Sequence, residues 1–107
     1  MRKGSRDIPP PLEIDCLKAL WTLGEANVKQ VRQALNKDRQ LAYTTVMTLL
    51  DRLAKRGSVA RRKVGRSFVY SPVLTMDEVR RAALADFVDS YFDGSAEALR
   101  QYVNHEL

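Results

Sequence analysis

Residues Leu41 to Gly57 read Leu-Ala-Tyr-Thr-Thr-Val-Met-Thr-Leu-Leu-Asp-Arg-Leu-Ala-Lys-Arg-Gly. Four apolar residues in this stretch recur at the i, i+3, i+4 and i+7 spacing of a single helix face. They are Val46, Leu49, Leu50 and Leu53. The pattern predicts an amphipathic helix that ends at Gly57, since glycine commonly terminates helices.

The opposite face of this helix is polar, and its composition suggests a nucleic-acid partner. The helical period turns Thr44, Thr48, Asp51 and Lys55 outward and places Thr45 and Arg52 on the flank. Short hydroxyl side chains near the helix start suit base edges in a DNA groove, and Arg52, Lys55 and Arg56 suit phosphates. Asp51 would repel phosphate, so we expect it to pair with Lys55 or to orient Arg52. The alternative is a solvated face with threonines near an N-cap.

A shorter helix precedes the amphipathic one. Asn27 is a good N-cap for a helix from Val28 to about Leu35, and a polar turn follows before Leu41. A short helix, a turn and a longer helix form a helix-turn-helix pattern. Lys29 in the first turn is either a phosphate contact or an exposed lysine.

The residues after Gly57 change to the alternating period of β-strands. Val59–Val64 and Ser67–Tyr70 flank Gly65-Arg66, which predicts a hairpin whose tight turn uses the glycine. Four cations cluster there without acidic residues in the same segment: Arg61, Arg62, Lys63 and Arg66. A basic hairpin beside a helix-turn-helix is a wing that would contact phosphates or the minor groove.

The N-terminal part of the chain supplies an arm and a first helix. Residues 1–9 carry three basic residues and form a predicted flexible arm, which either follows the DNA backbone or is disordered. The first helix starts at Pro10 or Pro11 and ends at Gly24. Cys16 is the only cysteine, so an intrachain disulfide is impossible, and we interpret it as a core residue of a cytoplasmic protein.

The C-terminal part predicts two more helices, one from the capping box Thr75–Glu78 to about Phe92 and another after Ser95. Residues 10–73 would already form a complete winged helix, so the apolar faces in residues 74–107 need another cover. A second subunit is our prediction, and folding back on the same chain is the alternative. The predicted dimerisation residues are Val79, Ala83, Phe87, Val88, Tyr91, Phe92, Leu99, Tyr102 and Val103.

Charge separates the two parts of this 107-residue chain. Residues 1–74 hold 15 basic and six acidic residues, whereas residues 75–107 hold three and seven. A basic front suits a polyanion. We find no catalytic set, no Cys/His metal spacing, no phosphate loop and no run long enough to span a membrane, so we expect neither an enzyme nor a cofactor nor membrane insertion. A winged-helix adaptor for protein or RNA is the rival interpretation.

These motifs resemble the penicillinase-repressor family of winged-helix regulators, the BlaI/MecI/CopY type, over about Leu12 to Val103. The matching motifs are Leu20-Trp21, Ala42-Tyr-Thr-Thr-Val-Met-Thr48, Arg52-Leu53, Lys55-Arg56-Gly57, Gly65-Arg66 and Tyr70-Ser-Pro72. The resemblance implies a mainly α fold with a small β-hairpin, and a homodimeric repressor. Such a repressor would bind a palindromic double-stranded DNA operator through the third helix, including Tyr43, and the wing.

The resemblance also implies a mode of release. In antibiotic-sensing members, a membrane protease-sensor or another inactivating protease leads to cleavage within the last helices at an Asn-Phe pair. Gln101-Tyr102 stands at that place here. Copper-sensing members carry a Cys-rich tail, which this sequence lacks after Cys16.

Overall fold

A computed structural model describes residues 8–107, so residues 1–7 of the predicted arm lie outside the described part. The elements in chain order are α1 (Pro11–Leu23), β1 (Ala26–Asn27), α2 (Val28–Leu35), α3 (Tyr43–Lys55), β2 (Val59–Val64), β3 (Ser67–Pro72), α4 (Met76–Tyr91) and α5 (Ala96–Glu106). They fall into two compact units. The first is Pro9–Met76, and the helical segment Asp77–Leu107 belongs to the second.

The first unit is built on three helices that share one apolar core. The predicted stripe of α3 is buried, with Val46, Leu50 and Leu53 fully enclosed. From α1, Leu17 and Leu20 enter the same unit's core, and Trp21 donates its indole N–H to the carbonyl of Leu74 at 2.8 Å. Burying the stripe of α3 turns its threonine-bearing face to solvent.

Side-chain hydrogen bonds fix the entry into α3. Asn27 caps α2 as predicted, in a reciprocal box with Gln30. At the other end of α2, the Asn36 side chain accepts from the Leu41 N–H at 2.8 Å and donates to the Leu41 carbonyl at 3.0 Å. Arg32 donates to the same carbonyl at 2.9 Å. The turn between the two helices is therefore braced, and the start of α3 is held in place relative to α2.

The sheet has three antiparallel strands in the order β1-β3-β2. Val64 pairs with Ser67, so Gly65 and Arg66 form the predicted two-residue turn, and Gly65 has the positive φ of 63° that this turn needs. The sequence did not predict β1, because two residues are too short for a visible period. Tyr70 is 1% exposed and anchors β3 to the core, whereas every residue of β2 after Val59 is exposed.

The second unit contains α4 and α5, whose predicted boundary is confirmed. The Ser95 hydroxyl caps α5 by accepting from the Ala98 N–H at 3.1 Å. Aromatic rings link the two helices, with Phe92 placed between Phe87 and Tyr102 at centroid distances of 5.7 Å each. Tyr91 stacks obliquely on Phe87 at 5.0 Å. These contacts leave much of the ring surface exposed.

Candidate nucleic-acid interface

The exposed start of α3 forms a shallow groove of threonines. Thr44, Thr45 and Thr48 line it together with Arg52. The Thr48 hydroxyl donates to the Thr44 carbonyl at 2.9 Å, so it offers an outside partner its acceptor lone pairs and its methyl group. Thr45 has no hydrogen-bond partner among the described residues, and its hydroxyl is free both to donate and to accept. The groove therefore offers an outside partner both hydrogen-bond donors and hydrogen-bond acceptors.

A second opening, with a volume of about 370 Å³, lies between α3 and the hairpin. Tyr43 and Met47 form part of the α3 wall, and Arg66 and Phe68 form part of the hairpin wall. Tyr43 is 48% exposed and Met47 is 42% exposed. The cleft thus continues the threonine surface toward the hairpin with apolar and aromatic groups.

Two of the four hairpin cations, all predicted to contact the DNA backbone, are paired with carboxylates from outside the hairpin. Arg61 contacts Asp51 of α3 at 2.7 Å, and its guanidinium also lies 4.4 Å from the Phe68 ring centroid. Arg62 contacts Glu25 at 2.7 Å. Strand alternation turns these arginines to opposite faces of β2. The expectation that Asp51 pairs with Lys55 or orients Arg52 is wrong, because the fold brings Arg61 of β2 alongside α3.

Arg56 is also tied to a carboxylate, although we expected it to contact phosphates. Its Nη1 lies 2.9 Å from Oε1 of Glu13, a residue of α1 that is only 2% exposed. The approach is an ion pair without an aligned hydrogen bond, so that oxygen accepts none from the described residues. Arg56 therefore neutralises a buried charge and joins α1 to the end of α3. The buried Glu13 gave no signal in the sequence, where it resembled a surface residue of the first turn.

Five predicted DNA-contacting cations have no carboxylate partner within the part of the chain that the structure describes. They are Lys29, Arg52, Lys55, Lys63 and Arg66, and all are exposed. Arg52 lines the threonine groove and Arg66 lines the cleft beside it. The structure thus brings the threonines, Arg52 and Arg66 to neighbouring surfaces of one unit, with uncompensated positive charge beside hydroxyl groups.

The predicted dimerisation residues differ in exposure. Phe87, Tyr91 and Tyr102 are 45%, 73% and 57% exposed, whereas Val79 and Val88 are already buried within the chain. Leu84 is 55% exposed and lies three residues before Phe87, on the same helical stripe. Leu84 was not among the predicted dimerisation residues, although its spacing from Phe87 could have identified it.

Metal binding, membrane crossing and thiol reactivity are the remaining features on which residues 8–107 bear. Within residues 8–107, no cluster of three or more His, Cys, Asp or Glu side chains could hold a metal ion. No helix in this range is long and apolar enough to cross a membrane. Cys16 is fully buried, as predicted for a core residue. Burial raises the pKa of its thiol to about 12, with further contributions from Asp15 and Glu13, so the reactive thiolate is suppressed.

Comparison with known proteins agrees with the motifs. The penicillinase repressor family profile matches residues 10–106. The transcriptional regulator BlaI of Mycobacterium tuberculosis is 38% identical over 108 residues, covering 84% of this chain and 78% of that protein. The penicillinase repressor of Bacillus licheniformis is 26% identical over 87 residues, covering 81% of this chain and 68% of that protein.

Solved structures show the same architecture. The solution structure of the BlaI DNA-binding domain superposes with a TM-score of 0.59 at 31% identity, covering 73% of this chain and 93% of that one. The monomeric form of Bacillus licheniformis BlaI in complex with the blaP half-operator gives 0.54 at 30% identity, covering 64% and 84%. The predicted winged-helix fold is confirmed, and the chain belongs to the penicillinase repressor family.

Proposed function

We propose that this protein is a sequence-specific DNA-binding repressor of transcription that binds a palindromic operator as a homodimer. The observation that carries the proposal is the solvent-facing side of α3, where free hydroxyl groups lie beside cations that lack internal partners. Its family relatives include named repressors, and one solved relative is a complex with a half-operator. Both facts support transfer of the function to this chain.

The proposal assigns base reading to α3. Thr44, Thr45 and Thr48 would meet base edges in the major groove, with Tyr43 at the helix start beside them. Thr48 would act as an acceptor or through its methyl group, because its proton is engaged by Thr44. Thr45 has both hydrogen-bonding functions available and is the better candidate for discriminating between bases.

Phosphate contacts are assigned to the uncompensated cations. Arg52 and Lys55 would flank the reading face, Lys29 would contact the backbone from α2, and Lys63 and Arg66 would do so from the wing. Arg61 and Arg62 were also predicted to contact phosphates, but their carboxylate partners reduce the net charge they offer. Any phosphate contact they make must compete with those pairs.

The dimer is assigned to α4 and α5. Leu84, Phe87 and Tyr91 form an exposed apolar stripe, and Tyr102 and Val103 add to it from α5. Burial of one aromatic or large aliphatic side chain contributes about 1.5–3 kcal/mol, so covering this surface would favour association after the entropy of pairing is subtracted. The contact would be completed by three half-buried residues, Ala83, Phe92 and Leu99. It would rest on two residues already buried within the chain, Val79 and Val88. A two-fold dimer requires two equivalent half-sites, hence a palindrome.

Release of repression is assigned to an inactivating protease, with a membrane protease-sensor as the upstream partner. Gln101 and Tyr102 are exposed but lie within the helix α5. A protease requires an extended substrate backbone, so cleavage there would need prior local unfolding of α5. Loss of α5 would remove part of the proposed dimer surface and weaken operator binding.

The decisive experiment is selection of duplexes from a randomised library by the purified full chain, followed by titration of the enriched duplex against a scrambled one. We expect enrichment of a dyad-symmetric sequence and preference for it by about a thousandfold or more, within the range of about 10³–10⁷ typical of specific binders. Sedimentation at micromolar protein should show a dimer. Retention on heparin without enrichment of any sequence would refute operator recognition and favour the adaptor interpretation.

A further inference from the structure

The ion pair between Asp51 and Arg61 connects the reading helix to the wing. Their closest atoms, Oδ1 and Nη1, are 2.7 Å apart, and each side chain is 42% exposed. The same guanidinium lies over the ring of Phe68 from the neighbouring strand. Arg61 of β2 therefore contacts both Asp51 of α3 and Phe68 of β3.

The outer part of the hairpin has little else to hold it. β2 is an edge strand, and its residues after Val59 are exposed. Among the described residues, Arg61 is the only hairpin side chain that forms an ion pair with α3. Arg61 is therefore the residue that ties the exposed part of β2 to α3 by charge.

The ion pair between Asp51 and Arg61 lowers the affinity for DNA of any sequence. Asp51 places negative charge on the DNA-facing side of the unit, and it neutralises an arginine that would otherwise contact phosphate. Its benefit is geometric, because a wing held at a fixed distance from α3 loses less conformational freedom when both engage one duplex. Such preorganisation favours duplexes whose groove geometry matches.

We propose that Asp51 is a positioning residue that fixes the wing against α3 through Arg61, raising preference for the operator while lowering affinity for random DNA. This inference rests on the proposed function for its DNA readout. Its structural part concerns the free protein and can be tested without DNA.

The first test uses Asp51→Asn, which removes the charge with little change of shape, and Arg61→Gln, which removes the charge and shortens the side chain. Both should reduce the ratio of affinities for the library-selected duplex and a scrambled duplex by about threefold to tenfold, as expected for losing a half-exposed ion pair and a stacking contact. The double variant should show no larger loss than either single variant, because the two residues act as one unit.

Salt dependence separates positioning from direct contact. Asp51→Asn frees Arg61, so binding to the scrambled duplex should strengthen and its log–log salt slope should steepen by about 0.9. Arg61→Gln should leave that slope unchanged. Two results would overturn the proposal. A slope flattened by about 0.9 in Arg61→Gln would mean that Arg61 contacts phosphate. Equally stronger binding to both duplexes in Asp51→Asn would mean that Asp51 only repels DNA.

Glu25→Gln is the matched control, since it breaks an ion pair of equal length, 2.7 Å, on the opposite face of β2. It should leave the ratio of affinities unchanged within about twofold, as usual for a surface pair. If Glu25→Gln lost as much preference as Asp51→Asn, the loss would be due to the change of charge alone, and the proposal would be overturned.

Amide hydrogen exchange of the free protein completes the experiment. We expect faster exchange across residues 63–68 in Asp51→Asn than in the wild-type chain or in Glu25→Gln, and equal rates in all three would refute the link. If the wild-type chain prefers no duplex, the proposed function fails, yet this measurement still decides whether Asp51 holds the wing.

Discussion

Replacing Arg56 by alanine should lower the free energy of unfolding, because Arg56 compensates the buried carboxylate of Glu13. Glu13 is 2% exposed, and Arg56 is the cation within 2.9 Å of it. The substitution leaves a negative charge enclosed in the protein with no compensating positive charge. Because the pair joins α1 to the end of α3, the variant also removes a connection between these two helices.

The expected magnitude follows from burial. Removing one partner of a fully buried ion pair costs about 3–5 kcal/mol. The Arg56 side chain is 39% exposed, so water screens part of the interaction and can approach Glu13 after truncation. We therefore expect a loss of about 2–3 kcal/mol in the free energy of unfolding. For a domain of this size that loss corresponds to a fall in Tm of roughly 10–20 °C.

Urea unfolding followed by Trp21 fluorescence is the appropriate assay, because this single tryptophan lies in the first unit and bonds to Leu74. Arg52→Ala is the matched control, since Arg52 lies in the last turn of α3, close to Arg56, and has no carboxylate partner among the described residues. It should change stability by less than about 0.5 kcal/mol. In a Glu13→Gln background, Arg56→Ala should cost less than about 1 kcal/mol, because the stranded charge is gone.

Two results would refute this reasoning. One is an Arg56→Ala variant as stable as Arg52→Ala. The other is an undiminished cost of Arg56→Ala in the Glu13→Gln background, which would assign the effect to packing of the arginine stem instead of its charge.

Four further predictions concern the remaining surfaces. Arg66→Ala should weaken binding to selected and scrambled duplexes alike and flatten the log K against log salt slope by about 0.9, whereas loss on one sequence alone would make Arg66 a base contact. Thr45→Ala should reduce preference for the selected duplex by about 1–3 kcal/mol in competitive titrations and leave scrambled-duplex binding nearly intact; unchanged preference would remove Thr45 from base readout. Phe87→Asp should sediment as a monomer at micromolar concentration with much weaker operator binding, and a wild-type chain that is monomeric at tens of micromolar would contradict the dimer. Cys16 should resist thiol reagents in the folded protein, and because its folded pKa of about 12 exceeds the unfolded value, its contribution to stability should be lost as pH rises from about 9 toward 12; rapid labelling of the native chain at neutral pH would contradict its burial.

Local patterns in the sequence were sufficient for most of the fold. The stripe from Val46 to Leu53 predicted α3, Asn27 predicted the start of α2, and Gly65-Arg66 predicted the turn of the hairpin. These features are set by neighbours within about one helical turn or one tight turn, so their physics is contained in short segments. The same patterns correctly separated buried from exposed faces of α3, and thereby selected the threonines as candidates for base contacts.

Only the tertiary structure decided which charges are free. Periodicity shows that Asp51, Arg61, Arg62 and Arg56 are polar positions, but it contains no information on which distant carboxylate or guanidinium lies opposite each one. Arg62 and its partner Glu25 are 37 residues apart, and the partner of Asp51 is on a strand instead of its own helix. These ion pairs form where segments that are distant in the sequence meet in the fold. The packing of the elements therefore decides which basic residues are paired and which are unpaired, and no local run of residues contains that information.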